Sequence, residues 1–251
     1  MAIQSRPPES APPDAVPVLL IRPAEQSRRF ADQMAARFGD RVAAMIAPLI
    51  APRFLTVAPP PAEALILTSE TGVEAARRIV AQGPGLPRQV WCVGDRTAEA
   101  ARDAGFAATS AGGDAEALIR LILAARPAGP MLHLRGAEAR GDIAARLTQA
   151  GIPTRDSIAY VQEPQTLGDP AKTLLQGDRP LILPLFSPRS ALLFHAAARP
   201  RAPVFIAALS PAVAAAAQHR PAPAGLRTAA QPDAKAMRDT LADLLRDIGA
   251  T

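Results

Sequence analysis

The sequence is short of the residues that most often build a metal or redox centre. Its 251 residues include one cysteine, Cys92, and three histidines, His133, His195 and His219, far apart in the chain. A lone cysteine excludes an intramolecular disulfide and a multi-cysteine metal site. The histidines lack metal-ligand spacing, so no metal is expected. Cys92 lies inside an apolar run and reads as core. Aromatic residues make up only 4%, which leaves Ala, Leu, Val and Ile to fill the interior. Lysine is nearly missing: of 28 basic residues, only Lys172 and Lys235 are not arginine. No apolar run reaches membrane-spanning length, so no membrane partner is expected. Met1 to Pro17 is Pro-rich and polar, unlike a signal peptide. It reads as a disordered tail on a cytoplasmic protein. Common catalytic motifs are also lacking. No G-x-G-x-x-G follows a strand, and neither a Walker A sequence nor a G-x-S-x-G elbow occurs.

The formal net charge is +5. Two readings of the arginines stand side by side. One is a general compositional preference for Arg, Ala and Pro. The other is an anionic ligand, since the guanidinium fork matches carboxylate or phosphate. The arginines are scattered among Asp and Glu, with no basic run interleaved with aromatics, so nucleic acid is not an expected partner.

What the chain does contain is one short pattern in both halves. Leu65 to Ser69 (LILTS) and Val90 to Gly94 (VWCVG) each enter an Ala-rich helical stretch. So do Leu181 to Ser187 (LILPLFS) and Val204 to Ser210 (VFIAALS). A third match pairs Val18-Leu-Leu-Ile-Arg22-Pro-Ala-Glu with Met131-Leu-His-Leu-Arg135-Gly-Ala-Glu. The pattern predicts strands at 18–21, 64–68, 90–93, 106–109, 131–134, 181–185, 204–208 and 227–230. It predicts helices at 24–38, 70–81, 95–104, 114–125, 138–149, 169–176, 188–198, 211–218 and 233–248. Alternation of this kind implies α/β folding, with parallel sheets flanked by helices.

Two stretches break the rhythm. Val42 to Leu55 is interrupted by Pro48 and Pro52, and Ile152 to Pro164 is again extended. Read as connectors at 46–55 and 153–164, they divide the chain after a tail at 1–15. Lobe 1 is then discontinuous (16–45 plus 165–251), and lobe 2 (56–152) is inserted. The two similar lobes would be joined by a two-segment extended hinge with a cleft between them.

Open parallel sheets bind ligands beyond the carboxyl ends of their strands. Here those ends read Thr68-Ser69-Glu70-Thr71-Gly72, Gly94-Asp95-Arg96-Thr97, Arg135-Gly136 and Ser187-Pro188-Arg189-Ser190. Hydroxyls beside exposed helix N–H groups suit an anion. Any one of them alone is ordinary N-capping, and it is the recurrence that points to a ligand. Tyr160 is the only tyrosine. It either covers the second connector with its ring or offers a hydroxyl that hydrogen-bonds or protonates a leaving group.

In order and spacing, these pieces resemble uroporphyrinogen-III synthases of the bacterial type. The resemblance runs from about Val16 onward. It is carried by LLIRP (Leu19 to Pro23), ILTSETGVEA (Ile66 to Ala75), VGDRTAEAARDAGF (Val93 to Phe106), LRG (Leu134 to Gly136), AGIPTRDSIAYVQEP (Ala150 to Pro164) and FSPRSALLF (Phe186 to Phe194). It implies a cofactor-free lyase that cyclises hydroxymethylbilane to uroporphyrinogen III with inversion of ring D. The implied route is loss of the terminal hydroxyl as water to an azafulvene, a spiro intermediate, fragmentation and reclosure. The implied partners are the linear tetrapyrrole and, in a transient hand-off, hydroxymethylbilane synthase; the chain is expected to act as a monomer. Position by position, Tyr160 matches the connector tyrosine that assists hydroxyl loss. Thr68, Ser69, Gly94, Arg135, Gly136, Ser187, Ser190, Arg22 and Ser210 fall at substrate-binding positions. After Ser210, the hydroxyls common in the family are replaced by Ala212 and Val213. The alternative reading is a non-catalytic two-lobed binding or scaffold protein for an anionic small molecule.

Overall fold

The computed structural model describes residues 14–83, 85–139, 141–218 and 222–249. The tail expected at 1–15 lies outside this range up to residue 13, as does His219. Ala15 is already packed, 2% exposed, and its carbonyl accepts a hydrogen bond from Arg179 at 2.9 Å.

The chain begins with β1 (Val16–Leu20), α1 (Ala24–Phe38), β2 (Val42–Ile46) and β3 (Ile50–Phe54). It continues with β4 (Ala64–Leu67), α2 (Glu70–Ala81), β5 (Gln89–Cys92), α3 (Asp95–Asp103), β6 (Ala107–Ser110), α4 (Ala115–Ala125), β7 (Met131–Gly136), α5 (Ile143–Gln149) and β8 (Thr154–Pro164). The last part holds α6 (Asp169–Gln176), β9 (Leu181–Leu185), α7 (Pro188–Ala197), β10 (Val204–Ala208), α8 (Pro211–Ala217), β11 (Gly225–Thr228) and α9 (Ala234–Gly249). The expected β-α alternation is therefore present, with α1, α2, α6, β9 and β10 at the expected bounds.

Two compact units divide the chain: Met1–Ala51 with Pro164–Thr251, and Pro52–Glu163. The first holds a five-stranded sheet in the order β11-β10-β9-β1-β2. The other sheet has six strands in the order β3-β8-β7-β4-β5-β6. The pairs β1–β2, β1–β9, β9–β10, β10–β11, β4–β5, β4–β7, β5–β6 and β7–β8 are parallel, whereas β3 runs antiparallel to β8: Leu55 N–H donates to the Ala159 carbonyl and Gln165 N–H to the Leu49 carbonyl, both at 2.9 Å.

Alternation along each strand explains the layers. In the first unit, Leu19, Leu183 and Leu185 face one side and pack with Ala191, Phe194 and Val213 of α7 and α8. Val18, Leu20 and Ile182 face the other and meet Phe30 and Met34 of α1 and Leu241 and Leu244 of α9. In the second unit, Leu65, Leu67, Leu132 and Leu134 pack under Val73, Ala76 and Ile79 of α2. Ile66, Trp91 and Met131 pack on the opposite side with Leu118 and Ile122 of α4 and Ile143 and Leu147 of α5. Each fully buried Leu or Ile contributes about 1.5–3 kcal/mol to holding these layers together.

Three stretches differ from the sequence reading. The Pro-interrupted segment is not a plain connector: its two halves are strands of different sheets. β2 pairs with β1, and β3 is an edge strand of the six-stranded sheet. Pro52 is tolerated at the edge, where a missing N–H costs no ladder bond. The second extended stretch is an eleven-residue strand, β8, which lies between β3 and β7. Finally, α5 starts at Ile143 rather than near 138. The residues before it are diverted: Ala139 N–H donates back to the Gly136 carbonyl, the Glu138 carboxylate accepts from Gln162 N–H at 3.2 Å, and Gly141 takes φ +90°.

Candidate functional site

Because all strands except the edge strand β3 run parallel to their neighbours, their carboxyl ends lie at one edge of each sheet. In the six-stranded sheet, the adjacent strands β8, β7, β4 and β5 carry Tyr160, Arg135 with Gly136, Thr68 with Ser69, and Gly94. In the five-stranded sheet, the adjacent strands β1, β9 and β10 carry Arg22, Ser187 with Ser190, and Ser210.

The serine ends are built alike. Ser69, Ser187 and Ser210 are N-caps with extended backbones, at φ/ψ of −156°/156°, −154°/152° and −156°/165°. Each hydroxyl accepts from the N–H three residues on: Gly72 at 3.1 Å, Ser190 at 3.1 Å and Val213 at 3.4 Å. Gly94 caps α3 with a similar backbone but without a side chain. The repetition seen in the sequence is thus a repeated strand-to-helix turn. Its hydroxyls satisfy orphan helix donors and keep one further bonding position each.

Two of these caps use that position. Ser187 Oγ and Ser190 Oγ lie 2.9 Å apart. Ser69 Oγ lies 2.9 Å from the Tyr160 hydroxyl. Tyr160 is buried, 7% exposed, with its ring 6.2 Å from that of Phe54. The ring rests on Gly136: a Cβ built there would lie 2.6 Å from Tyr160 Cε2 and 2.8 Å from Cζ. Glycine is required here for space, not for backbone conformation. Thr68 is half-buried between β4 and Ser69.

A bulge puts Tyr160 on this face. β7 and β8 stay in register from His133↔Asp156 through Arg135↔Ile158, and then Gly136 pairs with Tyr160. Ala159 is the extra residue. Strict alternation would send Ala159 and Tyr160 to opposite faces, yet both belong to the core cluster under α2. A bulge has this effect on the strand that carries it.

On the other face lies a cluster that the sequence did not suggest. His133 is 1% exposed. Its Nδ1 lies 2.9 Å from Asp156 Oδ1, and Arg135 Nε forms an ion pair with the same oxygen at 3.2 Å. Arg135 Nη1 also donates to the Gly136 carbonyl at 3.2 Å. With Nδ1 donating to the carboxylate, His133 Nε2 is an acceptor, and it has no partner in the core. Burial holds the His133 pKa below its ordinary 6.5, against the opposing pull of Asp156. His133 is therefore a packed residue of the interior. Register alone places Asp156 opposite it, and no local signal in TRDSIAY announces that.

Arg22 stacks on Phe186, with Cζ 3.8 Å from the ring centroid, and Phe186 meets Phe30 edge-on at 5.1 Å. Burial pushes the Cys92 thiol up to about 11, which keeps it protonated and suits the core role. Among the described residues, no three His, Cys, Asp or Glu side chains gather as a metal site would need, and no helix is long and apolar enough to cross a membrane.

A family model described as uroporphyrinogen-III synthase HemD matches residues 32–239. The chain belongs to the uroporphyrinogen-III synthase family. Its function is that of this family: a cyclising lyase of tetrapyrrole biosynthesis. Among solved structures, uroporphyrinogen-III synthetase from Helicobacter pylori 26695 aligns with a TM-score of 0.59 at 16% identity, covering 92% of this chain and 99% of that one. The two share a fold. A mutant uroporphyrinogen III synthase from Thermus thermophilus aligns at 0.44 with 15% identity, covering 94% and 100% of the two chains. Among curated proteins, none matches.

The seat of Tyr160 and the burial of His133 can each be tested. Gly136→Ala pushes the Tyr160 ring off its seat and breaks the bond to Ser69. The turnover rate should fall by at least about tenfold in a protein whose circular dichroism is unchanged; a wild-type rate would show that the ring is not needed there. His133 gives a pH signature. Its folded pKa lies below 6.5, so the unfolded chain takes up the proton first as pH falls. This contribution to stability is complete above that pH and is lost in the window beneath it. His133→Asn keeps the donor to Asp156 and removes the titration. Urea midpoints between about pH 5 and pH 8 should fall more steeply with acid for wild type than for the variant; parallel curves would contradict this.

Proposed function

We propose that Tyr160 is the proton donor in this chain's cyclisation of hydroxymethylbilane, with Ser69 and the N-terminus of α2 supporting its hydroxyl. The reading is carried by one observation: the chain's single tyrosine places its hydroxyl 2.9 Å from the cap of α2. Loss of water from the hydroxymethyl group needs a proton on the departing oxygen, and a phenol can give it. As the proton leaves, negative charge grows on the phenol oxygen. Ser69 Oγ already accepts from Gly72 N–H, so its own proton can turn toward that oxygen. The positive end of α2 favours the same charge.

The rest of the reaction asks for control of shape. The azafulvene is reactive and would also close without inversion. The chain must hold the two ends of the substrate so that the spiro route is favoured. The substrate is a polycarboxylate. We assign its binding to the strand-end turns of each unit: Thr68, Ser69, Gly94, Arg135 and Gly136 in one, and Arg22, Ser187, Ser190 and Ser210 in the other. Helix N–H groups, hydroxyls and guanidinium forks are all suited to carboxylates. A transient hand-off from hydroxymethylbilane synthase, to a chain that works as a cytoplasmic monomer, completes the proposal.

A coupled assay tests it. Hydroxymethylbilane is generated in situ with and without the protein, the products are oxidised, and the I and III porphyrin isomers are separated by chromatography. Mostly type III isomer is expected. Only type I isomer from folded protein would leave the binding or scaffold reading, which the Ala212-Val213 replacement in the Ser210 loop favours. Tyr160→Phe keeps the ring on Gly136 and removes the hydroxyl, and should slow type III formation by about 10- to 100-fold. An unchanged rate would reduce Tyr160 to a packing residue.

A further inference from the structure

The cluster of His133, Arg135 and Asp156 lies on the face of the six-stranded sheet opposite Tyr160. His133 belongs to the β7 row that alternates away from the α2 side, where Leu132 and Leu134 point. Asp156 is its direct partner on β8. The Arg135–Asp156 pair bridges the two strands just before the bulge. Asp156 precedes the extra residue, Ala159, by three positions. Arg135 precedes Gly136, where the register has shifted.

Other bonds hold the bulge from its far side. Ala137 N–H donates to the Tyr160 carbonyl at 3.0 Å, and Leu55 N–H donates to the Ala159 carbonyl at 2.9 Å. Arg135 Nη1 reaches the carbonyl of Gly136, the residue beneath the Tyr160 ring. One guanidinium therefore ties the strand before the shift to the backbone after it. Relaxing the bulge by one residue would turn Tyr160 to the wrong face and away from Ser69.

We infer that Asp156 is a positioning residue for the family's reaction: with His133 and Arg135, it pins the β7–β8 bulge that delivers the Tyr160 hydroxyl to Ser69. This rests on the reading of Tyr160 as the proton donor. Asp156 itself touches neither Tyr160 nor Ser69 and acts only through the backbone. His133 supplies a hydrogen bond to the carboxylate from a buried, fixed ring, beside the ion pair with Arg135. Arg135 gains a rigid anchor, so its side chain does not swing freely at the strand end.

The test is a double-mutant cycle, because a residue that acts through Tyr160 loses its effect once the hydroxyl is gone. Turnover rates for type III isomer formation are measured for wild type, Asp156→Asn, Tyr160→Phe and the double variant. Asp156 is partly exposed, with 38% of its side chain accessible, and its substitution leaves the core intact. Should Asp156→Asn fail to fold, Asp156→Ser replaces it in the same cycle, since the shorter, neutral hydroxyl does not supply the carboxylate that faces His133 and Arg135. The expected result is a loss of roughly tenfold in the wild-type background and less than about twofold in the Tyr160→Phe background. Equal losses in both backgrounds, or no loss in either, would overturn the inference while leaving Tyr160 as donor. A Tyr160→Phe rate equal to wild type would overturn the donor reading, and this inference with it.

Discussion

Everything at the candidate site depends on strands that run parallel beside their neighbours. Parallel pairing brings each strand's carboxyl end, and the helix that follows, to one edge of its sheet. The helix N-termini then lie side by side with their donors unsatisfied. Ser69, Ser187 and Ser210 each satisfy one such donor and in doing so place a hydroxyl at the edge. Capping and ligand binding are thus not rival explanations for these serines. The cap fixes where the hydroxyl sits, and its remaining bonding position decides what it meets. Tyr160 does not follow from the parallel rule. It reaches the same edge only because Ala159 interrupts the alternation of β8.

The two readings of the arginines divide by location. Arg28, Arg77 and Arg246 form exposed pairs with carboxylates one helical turn away. Such exposed pairs contribute little to stability and are screened by salt. Compositional preference accounts for them. Arg135 and Arg22 differ, because each is half-buried at a strand end and held by a specific partner, Asp156 or the Phe186 ring. A guanidinium held in one orientation loses less freedom when it meets a carboxylate. That fits the strand-end arginines to an anionic ligand far better than the net charge does.

Much of the fold was legible because it is written in local periodicity. Apolar runs of strand length followed by Ala-rich helices gave α1, α2, α6, β9 and β10 at their observed bounds. The caps were legible for the same reason, since a serine at a strand-to-helix turn has a local mechanism. The bulge was not legible. Register is a relation between β7 and β8, and TRDSIAY reads as a continuous strand whether or not Ala159 is extra. The partnership of His133 with Asp156 depends on that register, and so does the seat of Tyr160 on Gly136. The sequence reading starts α5 too early because helix propensity extends through Ala137 and Glu138, whereas tertiary bonds to Tyr160 and Gln162 claim those residues.

The arrangement also separates stability from chemistry at the site. Removing a capping hydroxyl exposes a helix donor and costs about 0.5–2 kcal/mol, so Ser69, Ser187 and Ser210 are held in place by the fold itself. The Tyr160 hydroxyl carries no such duty. Its ring is anchored by Gly136, Phe54 and the core under α2, and its oxygen bonds only to Ser69 among the described residues. The oxygen can therefore give up a proton without loosening the sheet. A family reaction that depends on holding a flexible chain in one shape suits this division: on the proposed reading, rigid turns bind, and one hydroxyl on a firmly packed ring is left to react.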